Sequence, residues 1–161
     1  MNTATFFAYP TIDPAVSQLQ NRGETAFLGQ WSHSEWTKFF HHCQTLRFSE
    51  GDVLIAQAST ERVFYLVAQG QFEVLAPYTP STQPHRINLM EAGSVIGEQT
   101  FLDGEPFTTE VRAVGAAEAM RFSHDAFEIF AAREPELARA ILFDLGRLLS
   151  MRLRTLMVQM Y

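Results

Sequence analysis

The residues best suited to chemistry lie together in one stretch: Val95-Ile96-Gly97-Glu98-Gln99-Thr100-Phe101-Leu102-Asp103-Gly104-Glu105-Pro106-Phe107-Thr108-Thr109-Glu110-Val111-Arg112-Ala113. Its pattern predicts a strand that passes through Gly97 into one turn of helix, then re-enters a strand near Thr108. Exposed amides at a helix N-terminus, together with the positive end of its dipole, favour an anion such as phosphate. A carboxylate at the start of that turn, Glu98, could accept hydrogen bonds from a sugar hydroxyl. The same residues are also explained if Glu98 caps its own helix and Gly97 serves a tight turn.

Other reactive side chains form weaker groupings. His41, His42 and Cys43 are adjacent, so on a helix they point in different directions and cannot all ligate one metal. They are expected at the surface or the edge of the core. Cys43 would serve as a nucleophile only beside an oriented base, and no residue pattern indicates one. Arg86, next to His85, and Arg147 and Arg152 near the C-terminus are supplementary sources of positive charge. Each is more simply explained as a solvated surface arginine.

The elements that must position these groups follow from turn residues and periodicity. Short segments rich in Val, Phe, Tyr and Leu at 45–48, 53–56, 63–68, 72–76, 86–90, 94–96, 108–113 and 117–122 alternate with Gly, Pro, Ser and Asp. Eight short strands at this spacing predict a β-sandwich or barrel, the sandwich being preferred, rather than βαβ units. Residues 76–85, rich in Pro and Thr, read as a solvated loop. Ser34 and Thr37, followed by Phe39 and Phe40, predict a short helix over 34–43. Ser123 is the expected N-cap of a helix ending near Arg133, and Pro135 suits the first turn of a last helix running to the C-terminus. Residues 1–30, with Pro10, Pro14, Gly23 and Gly29, show no period and read as an arm or short helical pieces. The predicted organisation is therefore arm 1–30, β-rich domain 31–133 and long helix 134–161.

That helix carries Leu142, Leu145, Leu149, Leu153, Leu156 and Met160 at spacings of three and four, a heptad-like seam. A second row of Leu137, Ile141 and Leu148 runs beside it. A helix apolar on two faces needs cover on both. One row is expected against the domain and the other against a second copy, making a homodimer. One wide stripe packed wholly on the domain is the alternative. Gly146, costly within a helix, would mark close backbone approach.

Composition bounds the function. The chain has 161 residues, 47% apolar and 19% charged, and one cysteine, which excludes an internal disulfide framework. A net charge of −6, with Lys38 the only lysine, argues against nucleic acid as a default partner. There is no basic, apolar leader at the N-terminus and no run long enough to span a bilayer, so a cytoplasmic location is expected.

The stretch from Gly97 to Ala113, taken with Glu50-Gly51-Asp52, Val63-Phe64-Tyr65-Leu66-Val67 and Gly70, resembles the cyclic nucleotide-binding domain family. That family includes catabolite activator protein and the regulatory subunit of protein kinase A, and the resemblance extends over about 27–160. It implies an eight-stranded jelly roll, mainly β, with a short N-terminal helix and a long C-terminal dimerisation helix. Gly97 and Glu98 would bind the ribose, and amides at Gln99 and Thr100 would face the cyclic phosphate of a ligand such as cyclic AMP or cyclic GMP. Thr108 and Thr109 complete the expected ligand-binding set. Phe107 stands where the family places its phosphate-binding Arg. Losing that fork weakens binding by about 10- to 150-fold, the equivalent of roughly 1.5–3 kcal/mol. Gln99 and Thr100 replace the usual Leu and Ala, and Glu110 adds a carboxylate nearby. In catabolite-activator-like members an Arg and a Thr-Ser pair on the last helix read ribose and base; here those positions fall near Leu148, Arg152 and Leu153.

The resemblance implies a free-standing regulatory module that senses a cyclic nucleotide or related phosphate weakly or with altered specificity, without resident cofactor or metal. Its signal would leave through the C-terminal helix to an unknown protein effector. A domain that has lost its ligand and serves as an interaction scaffold is the alternative. A metal enzyme of the cupin kind would need clustered His and carboxylate ligands on the strands, where only His85 falls. Because no helix-turn-helix follows the last helix, DNA binding by this chain alone is not expected.

Overall fold

The computed structural model describes residues 27–161, so most of the predicted arm lies outside the described residues. Helix α1 (His33–Phe40) leads into β1 (Gln44–Phe48), β2 (Val53–Ile55), β3 (Val63–Leu75), β4 (Arg86–Glu91) and β5 (Val95–Ile96). Helix α2 (Glu98–Asp103), strand β6 (Glu110–Ser123), α3 (His124–Arg133) and α4 (Pro135–Gln159) complete the chain. All pairings are antiparallel, in the order β1-β6-β3-β4, with β2 against β6 and β5 against β3. The architecture is mainly antiparallel β with flanking helices, a jelly-roll arrangement.

Among the described residues six strands stand where eight were expected. The segments at 63–68 and 72–76 are one strand, β3, and those at 108–113 and 117–122 are joined in β6. Gly70 does not break its strand. At φ 75° it lets β3 bulge against β6, where the register shifts between Val67 and Gln69 and again before Gln71. A Cβ at Gly70 would lie 2.4 Å from the Ala116 carbonyl oxygen, so only glycine permits the two backbones to approach this closely.

Both faces of β3 are covered over Val63–Ala68, which explains the apolar run there. Val63, Tyr65 and Val67 join Ile55, Phe72, Ile96, Val111 and Ala119 inside the barrel. Phe64 and Leu66 face the helices, packing with Phe39, Phe101, Phe122, Phe130, Ile141 and Leu145. Ring centroids there lie 4.8 Å apart for Phe39–Phe122 and 4.9 Å for Phe64–Phe101. Each fully buried Phe contributes about 1.5–3 kcal/mol of burial.

The short helix begins earlier than Ser34 and ends before 43. Ser32 is its N-cap, in a capping box with Glu35, and the chain turns at His41 to enter β1. Ser123 caps α3 as expected, its hydroxyl accepting from the Ala126 amide, and Pro135 opens α4. Before α1, Phe27 and Leu28 are buried, and the Leu28 amide donates to Asp144 of α4 at 2.6 Å. Lys38 reaches Glu134 at the α3–α4 junction, 3.1 Å away. The two predicted rows of α4 separate in part, with Leu137 and Leu149 half-buried. Ile141, Leu145 and Leu148 are buried on the domain, while Leu142, Leu153, Leu156 and Met160 are exposed. Leu145, assigned to the outer seam, belongs to the inner face. A Cβ at Gly146 would meet nothing within 4 Å, so that turn of α4 stands open.

Candidate cyclic nucleotide site

Strand β5 ends at Ile96, and Gly97 turns the chain into α2 with φ 92°. A Cβ at Gly97 would stand 2.8 Å from the Val63 carbonyl oxygen and 3.4 Å from Cζ of Phe107. Glycine is required here both by the left-handed backbone and by the strand passing beneath it. Being a glycine, the N-cap offers no side chain to the first amides of α2, which leaves that end of the helix without a side-chain partner.

Glu98 does not cap α2. It is buried, and its carboxylate forms an ion pair with Arg152 of α4. The second terminal nitrogen of Arg152 donates to the Val95 carbonyl at 2.8 Å. One guanidinium thus ties the C-terminal helix both to the strand entering the turn and to the carboxylate after it. Burial of Glu98 without this partner would strand a charge in the core.

Thr100 is buried, and its hydroxyl donates to the Glu105 carbonyl at 2.7 Å, closing the loop that follows α2. Gln99 is exposed on the outer side of α2. The Phe107 amide donates to the Ser59 carbonyl, and its own carbonyl accepts from Ala58, at 2.9 and 2.8 Å. Its half-buried ring packs on the barrel interior beside Gly97. Thr108 is exposed and Thr109 half-buried.

The remaining candidates are engaged elsewhere. Arg86 pairs with Glu73 on β3 at 2.9 Å, and Arg147 with Asp144 on its own helix. Glu110, whose position next to the turn suggested a repelling charge, is neutralised by Arg112, and both join the Tyr78 hydroxyl at 2.9 Å. The hydrogen bond to Glu110 raises the Arg112 pKa above its ordinary value. Tyr78 comes from the 76–85 loop, which is therefore anchored to β6 rather than simply solvated. Cys43 donates to the Phe39 carbonyl, and burial pushes its thiol pKa well up, away from nucleophilic reactivity. Among the described residues no group of three or more His, Cys, Asp or Glu could hold a metal, and no helix is long and apolar enough to cross a membrane.

Sequence reasoning missed Arg62. Its Nε and Nη2 donate to the Phe101 carbonyl at 3.1 and 2.9 Å, and Nη2 also reaches Leu102 at 3.1 Å. No local signal marks it, because it caps a helix that lies 39 residues further on.

Comparison with known proteins agrees with this geometry. The family model for the cyclic nucleotide-binding domain matches residues 45–134, and the chain belongs to that family. Among solved structures, a cyclic nucleotide-binding domain from Methylobacillus flagellatus superposes with TM-score 0.72 at 24% identity, over 80% of this chain and 71% of that one. Thermus thermophilus catabolite activator protein gives TM-score 0.71 at 22% identity, over 83% of this chain and 60% of that protein's length. The regulatory domain of Toxoplasma gondii PKA, solved with cAMP, gives 0.62 at 21% identity, over 80% and 45%. These likenesses establish the fold. No curated protein sequence matches the chain.

Proposed function

We propose that this chain is a regulatory module whose ligand is a cyclic nucleotide or a related phosphate, bound weakly or with altered specificity. Gly97, Glu98, Gln99, Thr100, Phe107, Thr108 and Thr109 form the ligand-facing cassette, and Arg152 faces it from α4. The observation that carries this reading is the Arg152–Glu98 ion pair, because it joins the carboxylate that the resemblance assigns to the ribose with the helix that would report binding. A ligand that takes the Glu98 carboxylate competes with Arg152, and so favours one arrangement of α4 over another. It can shift that balance only by its differential affinity for the two arrangements. Phe107 supplies no charge, so the grip on phosphate rests on backbone amides and on Arg152.

The exposed row of Leu142, Leu153, Leu156 and Met160, with half-buried Leu149 among them and Gly146 open beside them, supports a homodimer through α4. Calorimetric titration with cyclic AMP, cyclic GMP and cyclic di-GMP tests the ligand. Heat that saturates with at least one, and is lost in Glu98→Gln, supports the proposal; no heat with any of them overturns it. The packing of the Phe107 ring beside Gly97 favours a second reading, an interaction scaffold without ligand. That reading requires an absence of thermal shift with every nucleotide.

A further inference from the structure

We infer that Arg62, on the loop between β2 and β3, is the positioning residue of the cassette. The inference rests on the reading of Glu98 as ligand-facing. Helix α2 has only six residues, and a helix so short is not stable on its own. Its last turn carries no basic residue to complement its exposed carbonyls. The Gly104 amide closes onto Thr100 at 2.9 Å, which leaves the carbonyls of Phe101 and Leu102 for an outside donor. Arg62 supplies it through the three hydrogen bonds described above.

The guanidinium is itself held in place. The Arg62 carbonyl accepts from the His124 amide at 2.9 Å, so its backbone is fixed at the start of α3. Val63, the next residue, passes its carbonyl under Gly97 at the other end of α2. On the same loop Ala58 and Ser59 bond to the backbone of Phe107. The loop therefore grips the cassette at the end of its helix and at its last turn, and the strand it leads into passes under the cassette's start. In a cassette without an arginine at 107, the shape that a ligand phosphate would otherwise hold together is held by the protein, and Arg62 provides the charged part of that hold. It acts on the ligand through the placement of Glu98, without touching it.

Residue-resolved amide exchange of the full chain, with Arg62→Ala, Arg62→Lys and Arg139→Ala, decides this. Arg62→Ala is expected to speed exchange at the amides of Phe101, Leu102 and Gly104 by about tenfold or more, the scale of losing hydrogen bonds to a charged donor, while β3 and β6 stay protected. Arg62→Lys, whose ammonium can still reach one carbonyl, restores most of the protection. Arg139→Ala, which removes an exposed charge on α4, leaves exchange in the cassette as in the parent. Unchanged exchange in Arg62→Ala, an increase spread evenly over the whole chain, or a Lys variant no better than Ala would overturn the inference. Titration with cyclic AMP separates it from the functional reading. If the parent binds, Arg62→Ala binds several-fold more weakly. If the parent does not bind, the functional reading loses its support and the exchange data still decide the role of Arg62.

Discussion

Arg152 and Glu98 stand 54 positions apart, yet the guanidinium of one is paired with the carboxylate of the other and reaches the Val95 carbonyl at 2.8 Å. The pair is well shielded: the Glu98 side chain is 8% exposed and that of Arg152 30%. Beyond Arg152, α4 leaves the domain, and Leu153, Leu156, Met157 and Val158 are exposed. The ion pair is thus the last tie before the helix projects outward.

Breaking that tie should free the end of α4 without unfolding the barrel. Arg152→Ala is expected to cost about 1.5–3 kcal/mol, the value of a hydrogen bond to a charged group. A double-mutant cycle with Glu98→Gln in urea denaturation should show coupling of about 1 kcal/mol or more. Additive effects would mean that the two residues do not depend on each other.

Restoring the missing charge should improve binding. Phe107→Arg is expected to tighten cyclic AMP by about 10- to 150-fold, the equivalent of roughly 1.5–3 kcal/mol. Calorimetry on the two proteins checks it; no gain would mean that Gln99 or Thr100 also excludes the phosphate.

The exposed seam of α4 predicts self-association. Replacing Leu153 and Leu156 together by Glu should raise the dimer dissociation constant by at least about 100-fold, since each buried leucine contributes roughly 1.5–3 kcal/mol. Sedimentation velocity of the parent and the double variant gives the answer. Equal sedimentation of the two would remove the dimer.

Alkaline pH should destabilise the fold in two steps. Burial raises the Cys43 pKa above its ordinary 9.0. Burial, aided by Glu61 and opposed by Arg121, raises that of Tyr65 above 10.0. In both cases the native state holds its proton where the unfolded chain has lost it. Stability is therefore complete below these ordinary values and falls as pH rises beyond them. The urea midpoint should decline from about pH 9 upward, and Cys43→Ala should remove the earlier part of the decline. A midpoint that rises over this range would contradict the assignment.

Much of the fold was legible in local chemistry. Ser123 and Pro135 mark the starts of the last two helices because capping acts within one turn. The Gly97–Ala113 spacing places the cassette because its turn needs particular residues in order. The strand count was wrong for a physical reason. Glycines between the segments read as chain breaks, but Gly70 and Gly115 take positive φ inside continuous strands, and only the partner strand shows that the ladder resumes. Ser34 lost to Ser32 because the capping box needs Glu35 three residues on. The contacts of the candidate residues were legible only where their partners lie near in sequence. Arg86 was a supplementary source of charge, and Glu73 across the β3–β4 hairpin pairs with it. Arg62 and the partner of Arg152 are fixed by contacts 39 and 54 residues away, where no periodicity reaches.

The most direct test follows the Arg152 and Glu98 resonances while cyclic AMP is added to the labelled chain. The account predicts saturable shifts at Gly97, Glu98, Thr100 and the Arg152 side chain, together with faster amide exchange along the last turns of α4, all abolished in Glu98→Gln. Resonances that stay fixed up to the solubility limit of the nucleotide, or shifts that survive in Glu98→Gln, would contradict it.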